Sequence, residues 1–194
     1  MKAAWVAVFV VLTLSPVIAQ NPQPEKPALA TPSLSANDLA AKVPTPKADD
    51  VKSIDAIMHA IYSAISGPAG SRNWDRFRSL FLTTARFTDT GKKPDGPIVV
   101  HTWSVDDFVH DAGLVFAQEG FYENGIVNKT ETFGNVAQVF SSYESRHAPG
   151  EKPFARGINS VQLMNDGKRW WVVSILWDAE RPDNPLPKAF TAKH

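Results

Sequence analysis

The candidate side chains for chemistry in this 194-residue chain are carboxylates, histidines and tyrosines, and cysteine is absent altogether. That absence excludes a thiolate nucleophile, a thiolate metal site and a disulfide framework. Asp89 follows the short run Ala85-Arg86-Phe87-Thr88 and precedes Thr90-Gly91. A carboxylate there could shuttle a proton if its surroundings removed it from water, whereas in a wet turn it would only shape the loop. His110 stands three and four residues after Asp107 and Asp106, with Asp111 beside it, a spacing that puts ligand-type groups on one helix face. With no third His or Cys nearby, the group reads as a solvated face, and no metal is expected. His59 lies opposite much of an apolar helical stripe, at a solvated or packed edge. Tyr122, Glu123, Glu131 and Glu144 fall on strand-like runs, and one of these acids is placed to pair with Arg156 as a structural or dimer-edge feature. Asn128-Lys129-Thr130 fits a glycosylation acceptor sequence. No Gly-rich phosphate loop occurs, and no cofactor is expected.

The elements that must position these groups run from helices to long strands. Asp50 is placed to cap a helix over residues 50–66, whose Val51, Ile54, Met58, Ile61 and Ile65 form one apolar stripe with Tyr62 on its flank; Gly67-Pro68 stops it. Asn73 opens a second helix over residues 74–81 with Trp74, Phe77, Leu80 and Phe81 inside. Residues 85–88 and 98–101 read as short strands around a polar loop at 89–96. Ser104 with Asp107 forms a capping box for a third helix ending near Ala117. From Phe121 the pattern is strand: residues 121–132 and 136–146 flank Phe133-Gly134-Asn135, with Asn124-Gly125 marking a competing turn or a bulge. A last hairpin over residues 154–178 closes at Asn165-Asp166-Gly167-Lys168. In its second arm, regular alternation puts Trp171, Val173, Ile175 and Trp177 on one face and Trp170, Val172, Ser174 and Leu176 on the other. Both faces are apolar, so both need a cover, helices on one side and something else on the other.

The N-terminus carries a different signal. Lys2, the apolar run at 3–14 and Pro16-Val17-Ile18-Ala19 resemble a secretory signal peptide, residues 1–19, cleaved after Ala19. The run is shorter than the about 17 residues that span a bilayer, so no membrane span is expected after cleavage, and a secreted or periplasmic location follows. Residues 20–50 hold six prolines and no aromatic residue, the composition of a disordered tether. Residues 51–180 then form one domain, and 181–194 an irregular tail. Net charge is zero, which leaves no electrostatic case for nucleic acid or an anionic membrane surface as a partner.

Helices followed by hairpins indicate an α+β domain, an antiparallel sheet with the helices on one face. The Tyr-bearing first helix, the Trp74-Asp75 to Phe81 segment, Ala85-Arg86-Phe87-Thr88-Asp89 and the Asp166-Gly167 hairpin with Trp170 resemble the nuclear transport factor 2-like superfamily, which includes ketosteroid isomerases and SnoaL-like cyclases. The resemblance covers residues 51–178. It implies a curved antiparallel sheet wrapped as a cone around about three helices, a pocket at the open end, and a homodimer through the convex sheet face. On the isomerase pattern it also implies Tyr62 as oxyanion donor and Asp89 as general base, with Asn159 where the isomerases carry a protonated acid. A small, largely apolar ligand is expected in the pocket, against Asn159, His101, Tyr122, Trp177 and Trp74, with or without acid-base isomerase, cyclase or hydrolase activity. The alternative is a non-catalytic assembly module with a filled cone. A slip of one residue in the strand would exchange Asn159 for Ser160 on the inner face.

Overall fold

The computed structural model describes residues 33–92 and 96–191. The leader at 1–19 and residues 20–32 of the tether lie outside the described residues. Within the unit Leu34–His194, the helices are α1 (Ala36–Ala40), α2 (Ala48–Val51), α3 (Ile54–Ile65), α4 (Trp74–Arg78) and α5 (Val105–Phe116). The strands are β1 (Phe81–Lys92), β2 (Ile98–Trp103), β3 (Tyr122–Phe133), β4 (Val136–Arg146), β5 (Ala155–Asn165) and β6 (Trp170–Ala179), followed by a 3-10 turn at Lys188–Phe190.

Local chemistry sets the helix starts. Asn73 Oδ1 accepts from the Arg76 amide, and Ser104 with Asp107 closes the capping box of α5. The helix expected over residues 50–66 is divided instead: α2 ends at Val51, and the Ser53 hydroxyl opens α3 by accepting from the Ala56 amide. Asp50 caps nothing. It is buried, and its carboxylate accepts from Arg76 Nε at 2.7 Å and Nη2 at 2.9 Å, bonds that hold its pKa below the usual carboxylate value. The stretch read as tether also holds structure, since α1 is closed by a Ser35–Asp38 capping box and Asn37 Oδ1 accepts from Lys168 Nζ at 2.8 Å.

The sheet has six strands in the order β2-β1-β6-β5-β4-β3. Neighbouring strands pair antiparallel except β1 and β6, which run parallel where the first hairpin meets the four-strand meander. Two expectations change on this sheet. β1 continues through Asp89 to Lys92, because residues 87–92 pair along β2, so Asp89 is a strand residue and the loop begins after it. In β6 the register jumps from Gln162 opposite Ser174 to Leu163 opposite Val172, leaving Val173 as an extra residue. This bulge resets the alternation: Val172 and Ile175 both enter the core while Val173 is 37% exposed. A second register shift, between Gly125 and Val127, follows the Asn124-Gly125 pair.

The helices cover one face of the sheet, joining Ile57, Ala60, Ile61, Phe77, Phe81, Phe87, Val161 and Val172 in one core. Each fully buried Ile, Val or Phe of this set contributes about 1.5–3 kcal/mol. On the other face part of the cover comes from the chain's own tail, where Phe190 packs edge-on against Phe140 with centroids 5.8 Å apart and the Lys129 ammonium lies 4.5 Å from the Phe190 ring centroid. Trp171 is closed off by the Arg169 guanidinium 3.7 Å over its ring, and its Nε1 donates to Asp166 Oδ2 at 2.8 Å. Leu176 stays 45% exposed. No helix among the described residues is long and apolar enough to cross a membrane.

Candidate functional site

Strand pairing draws several of the expected site residues into one line. His101, Asp89, Trp177, Asn159 and Ser141 are successive register partners across β2, β1, β6, β5 and β4. Residues directly opposite one another point to the same face, so all five stand in one row. Tyr62 comes down onto this row from α3. Its hydroxyl lies 2.6 Å from Ser141 Oγ and accepts from Asn159 Nδ2 at 3.3 Å. Burial pushes the Tyr62 pKa up to about 12, against the lowering influence of Ser141 and Asn159. Asn159 is therefore the inward residue and Ser160 points away.

Beside this row opens a cavity of about 470 Å3 between α5, the end of α3 and the sheet. Its walls are aromatic. Trp103 and Trp177 lie nearly parallel at 5.9 Å, Phe87 and Phe108 at 4.5 Å, and Phe116 and Phe121 at 4.7 Å. Four polar side chains line it from the sheet, namely Glu123 and Ser145 on neighbouring strands, Tyr143 and Asn159. Ser145 Oγ donates to Glu123 Oε2 at 2.7 Å. Burial nevertheless dominates, and lifts the Glu123 carboxyl to about 7, against the lowering influence of Ser145 and Asn159. The Tyr143 ring lies over Gly157, where an added Cβ would come within 2.7 Å of its hydroxyl, so only glycine admits the ring in that position. Burial also raises the Tyr143 phenol, helped by the negative charge of Glu123 and Asp89. At the rim stand Asp111, which accepts from Trp103 Nε1 at 3.0 Å, Glu119, and His147, whose ring stacks on Phe154 at 4.2 Å.

Of the expected ligand-contacting residues, Asn159 and Trp177 line the cavity. Asp89 and His101 sit farther along the row outside its lining, with the His101 Nδ1 3.4 Å from Asp89 Oδ2. Tyr62 backs Asn159 and faces a separate polar cleft shared with His59 and Asn128. Trp74 packs outside the lining, nearly parallel to Phe116 at 6.2 Å and edge-on to Phe77. Tyr122 alternates away from Glu123 on β3 and lies outside the lining too. The acids of α5 are engaged locally, Asp106 with Arg78 and Asp107 with Ser104. Arg156 pairs with Glu180, and Glu144 pairs with Arg146.

Glu123, Tyr143 and Ser145, with Glu119 and His147 at the rim, are polar lining residues that the sequence pattern did not single out as a site. The available signal was Gly125, two residues on and hence on the same side of β3, where an added Cβ would meet the Tyr62 ring at 2.9 Å. A strand glycine of this kind marks close approach of another element, and so identifies the inward face.

No protein-family model matches the sequence, and no curated protein matches it. Solved structures do match. A protein of unknown function with a cystatin-like fold from Nostoc punctiforme has a TM-score of 0.51 at 7% identity, covering 69% of this chain and 92% of its own. An uncharacterized protein with a cystatin-like fold from Caulobacter vibrioides has a TM-score of 0.50 at 13% identity, over 68% and 90%. The β subunit of an inferred aromatic-ring-hydroxylating dioxygenase from Novosphingobium aromaticivorans has a TM-score of 0.52 at 13% identity, over 67% and 90%. At these identities the likeness speaks to fold alone. The chain has the cystatin-like fold of these structures.

Proposed function

We propose that this domain binds a small, largely apolar molecule in the cone cavity, oriented at its sheet wall by Glu123, Tyr143 and Asn159. The observation that carries the reading is an open aromatic cavity of about 470 Å3 on which these polar groups converge. A filled assembly module would need that space packed with side chains. Glu123, whose ionisation falls near neutral pH, is the lining group suited to move a proton if the bound molecule reacts. The leader in the sequence favours work outside the cytoplasm. Self-association through the sheet face opposite the helices is supported by Val173 at 37% and Leu176 at 45% exposure, apolar residues on the same strand.

The test is titration of the protein with 1-naphthalenemethanol, read by tryptophan fluorescence. Saturable binding is expected, lost in Ala112→Trp, which fills the cavity from α5. Binding that ignores Ala112→Trp, or no saturable binding, would sink the reading.

A further inference from the structure

The charge pattern of the cavity narrows the ligand class. Among the described residues three carboxylates line it, Asp111, Glu119 and Glu123, with His147 3.6 Å from Glu119, and neither lysine nor arginine does. A carboxylate or phosphate ligand would lie beside Glu123 with no fixed positive charge to receive it, an uncompensated burial of like charges. The aromatic walls favour the opposite sign, because ring faces attract an organic cation. A second, independent feature points the same way. Tyr143 is 6% exposed and lines the cavity, and its hydroxyl has no hydrogen-bond partner among the described residues. The phenol lines the cavity, and its oxygen accepts readily from an N–H donor that a ligand brings. Glu123 has one oxygen held by Ser145 and belongs to the same wall.

Building on the pocket reading above, we propose that the cavity selects lipophilic amines, seating the ammonium group between Glu123 and the Tyr143 hydroxyl and the apolar body between the Trp103–Trp177 and Phe87–Phe108 pairs. The ammonium supplies the positive charge that the buried carboxylate lacks. The acidic rim formed by Asp111 and Glu119 draws cations toward the opening and turns anions away.

Three probes of one shape test this on the full chain by calorimetry at pH 8: 1-naphthylmethylamine, 1-naphthalenemethanol and 1-naphthoate. The amine is expected to bind on the order of tenfold or more tighter than the alcohol, the net value of a charge-assisted hydrogen bond, with the naphthoate weakest. Glu123→Gln should remove the preference of the amine over the alcohol, with an unchanged circular dichroism spectrum showing that the variant is folded. An amine that binds no tighter than the alcohol overturns the proposal, as does a preference that survives Glu123→Gln. Binding of the alcohol alone would leave the pocket reading standing and remove only the amine selectivity; failure of all three probes would remove both.

Discussion

Replacing Glu123 by Gln should stabilise the protein, and do so only where the wild-type carboxyl is forced to ionise. The ordinary carboxyl value of 4.5 and the buried value of about 7 differ by an amount that corresponds to about 3 kcal/mol. The sign follows from proton binding. The folded state holds the Glu123 proton more tightly than the unfolded chain, so stability is greatest below 4.5, falls as pH rises toward 7, and levels off above it. Glutamine removes that dependence while its amide oxygen still accepts from Ser145 Oγ. The groups gathered around the carboxyl are Tyr62 from α3, Tyr143 and Ser145 from β4 and Asn159 from β5, with His59 and Asp55 across the polar cleft. None of these supplies a full positive charge in the neutral state of the histidine. Urea unfolding followed by tryptophan fluorescence should therefore show Glu123→Gln about 3 kcal/mol more stable than wild type at pH 8 and about 1 kcal/mol or less at pH 5. A difference independent of pH, or a loss of stability at pH 8, would refute the reasoning.

Other outcomes follow from the same geometry. Asp50→Asn breaks a largely buried pair with Arg76 and should cost about 3 kcal/mol at pH 7 in urea unfolding. Because the folded Asp50 value is lowered from 3.8, that contribution is present above 3.8 and disappears as pH falls through the lower folded value, so wild type and variant should converge in acid. Tyr62→Phe removes the hydroxyl shared by Ser141 and Asn159 and should cost about 1–2 kcal/mol by thermal unfolding, while leaving 1-naphthalenemethanol bound, since Tyr62 lies outside the cavity. The proposed self-association predicts a dimer in sedimentation equilibrium that Leu176→Lys converts to monomer with its circular dichroism unchanged; a wild-type monomer, or a dimer unaltered by the substitution, would remove the exposed sheet face as the interface.

The legible parts of the fold were those written in short-range chemistry. Ser104 with Asp107, Asn73 before Trp74, and the turns at Gly134 and Gly167 are local signatures, and each sits where its spacing puts it. What escaped depends on partners far away in sequence. Thr90-Gly91 looks like a turn until β2 pairs along it. Val173 looks inward until the bulge opposite Gln162 and Leu163 turns it out. Asp50 has the position and chemistry of a cap, and only its distance from Arg76, 26 residues on, makes it an ion-pair partner. The candidate site was half legible for the same reason. Asn159, Trp177 and Tyr62 are drawn together by the fold that the motifs indicated. Glu123 acquires its character from burial beside Tyr143 and Asn159, which no stretch of neighbouring residues expresses.

The most direct test of the account is the titration of the Glu123 side-chain carboxyl carbon by NMR in the full protein, assigned with Glu123→Gln and repeated with 1-naphthylmethylamine bound. A midpoint of about 7 in the free protein, moving down when the amine binds, is the predicted result. A midpoint near the ordinary 4.5 would mean that the carboxyl is solvated, and would contradict the claim that this cavity holds a buried acid as its polar anchor.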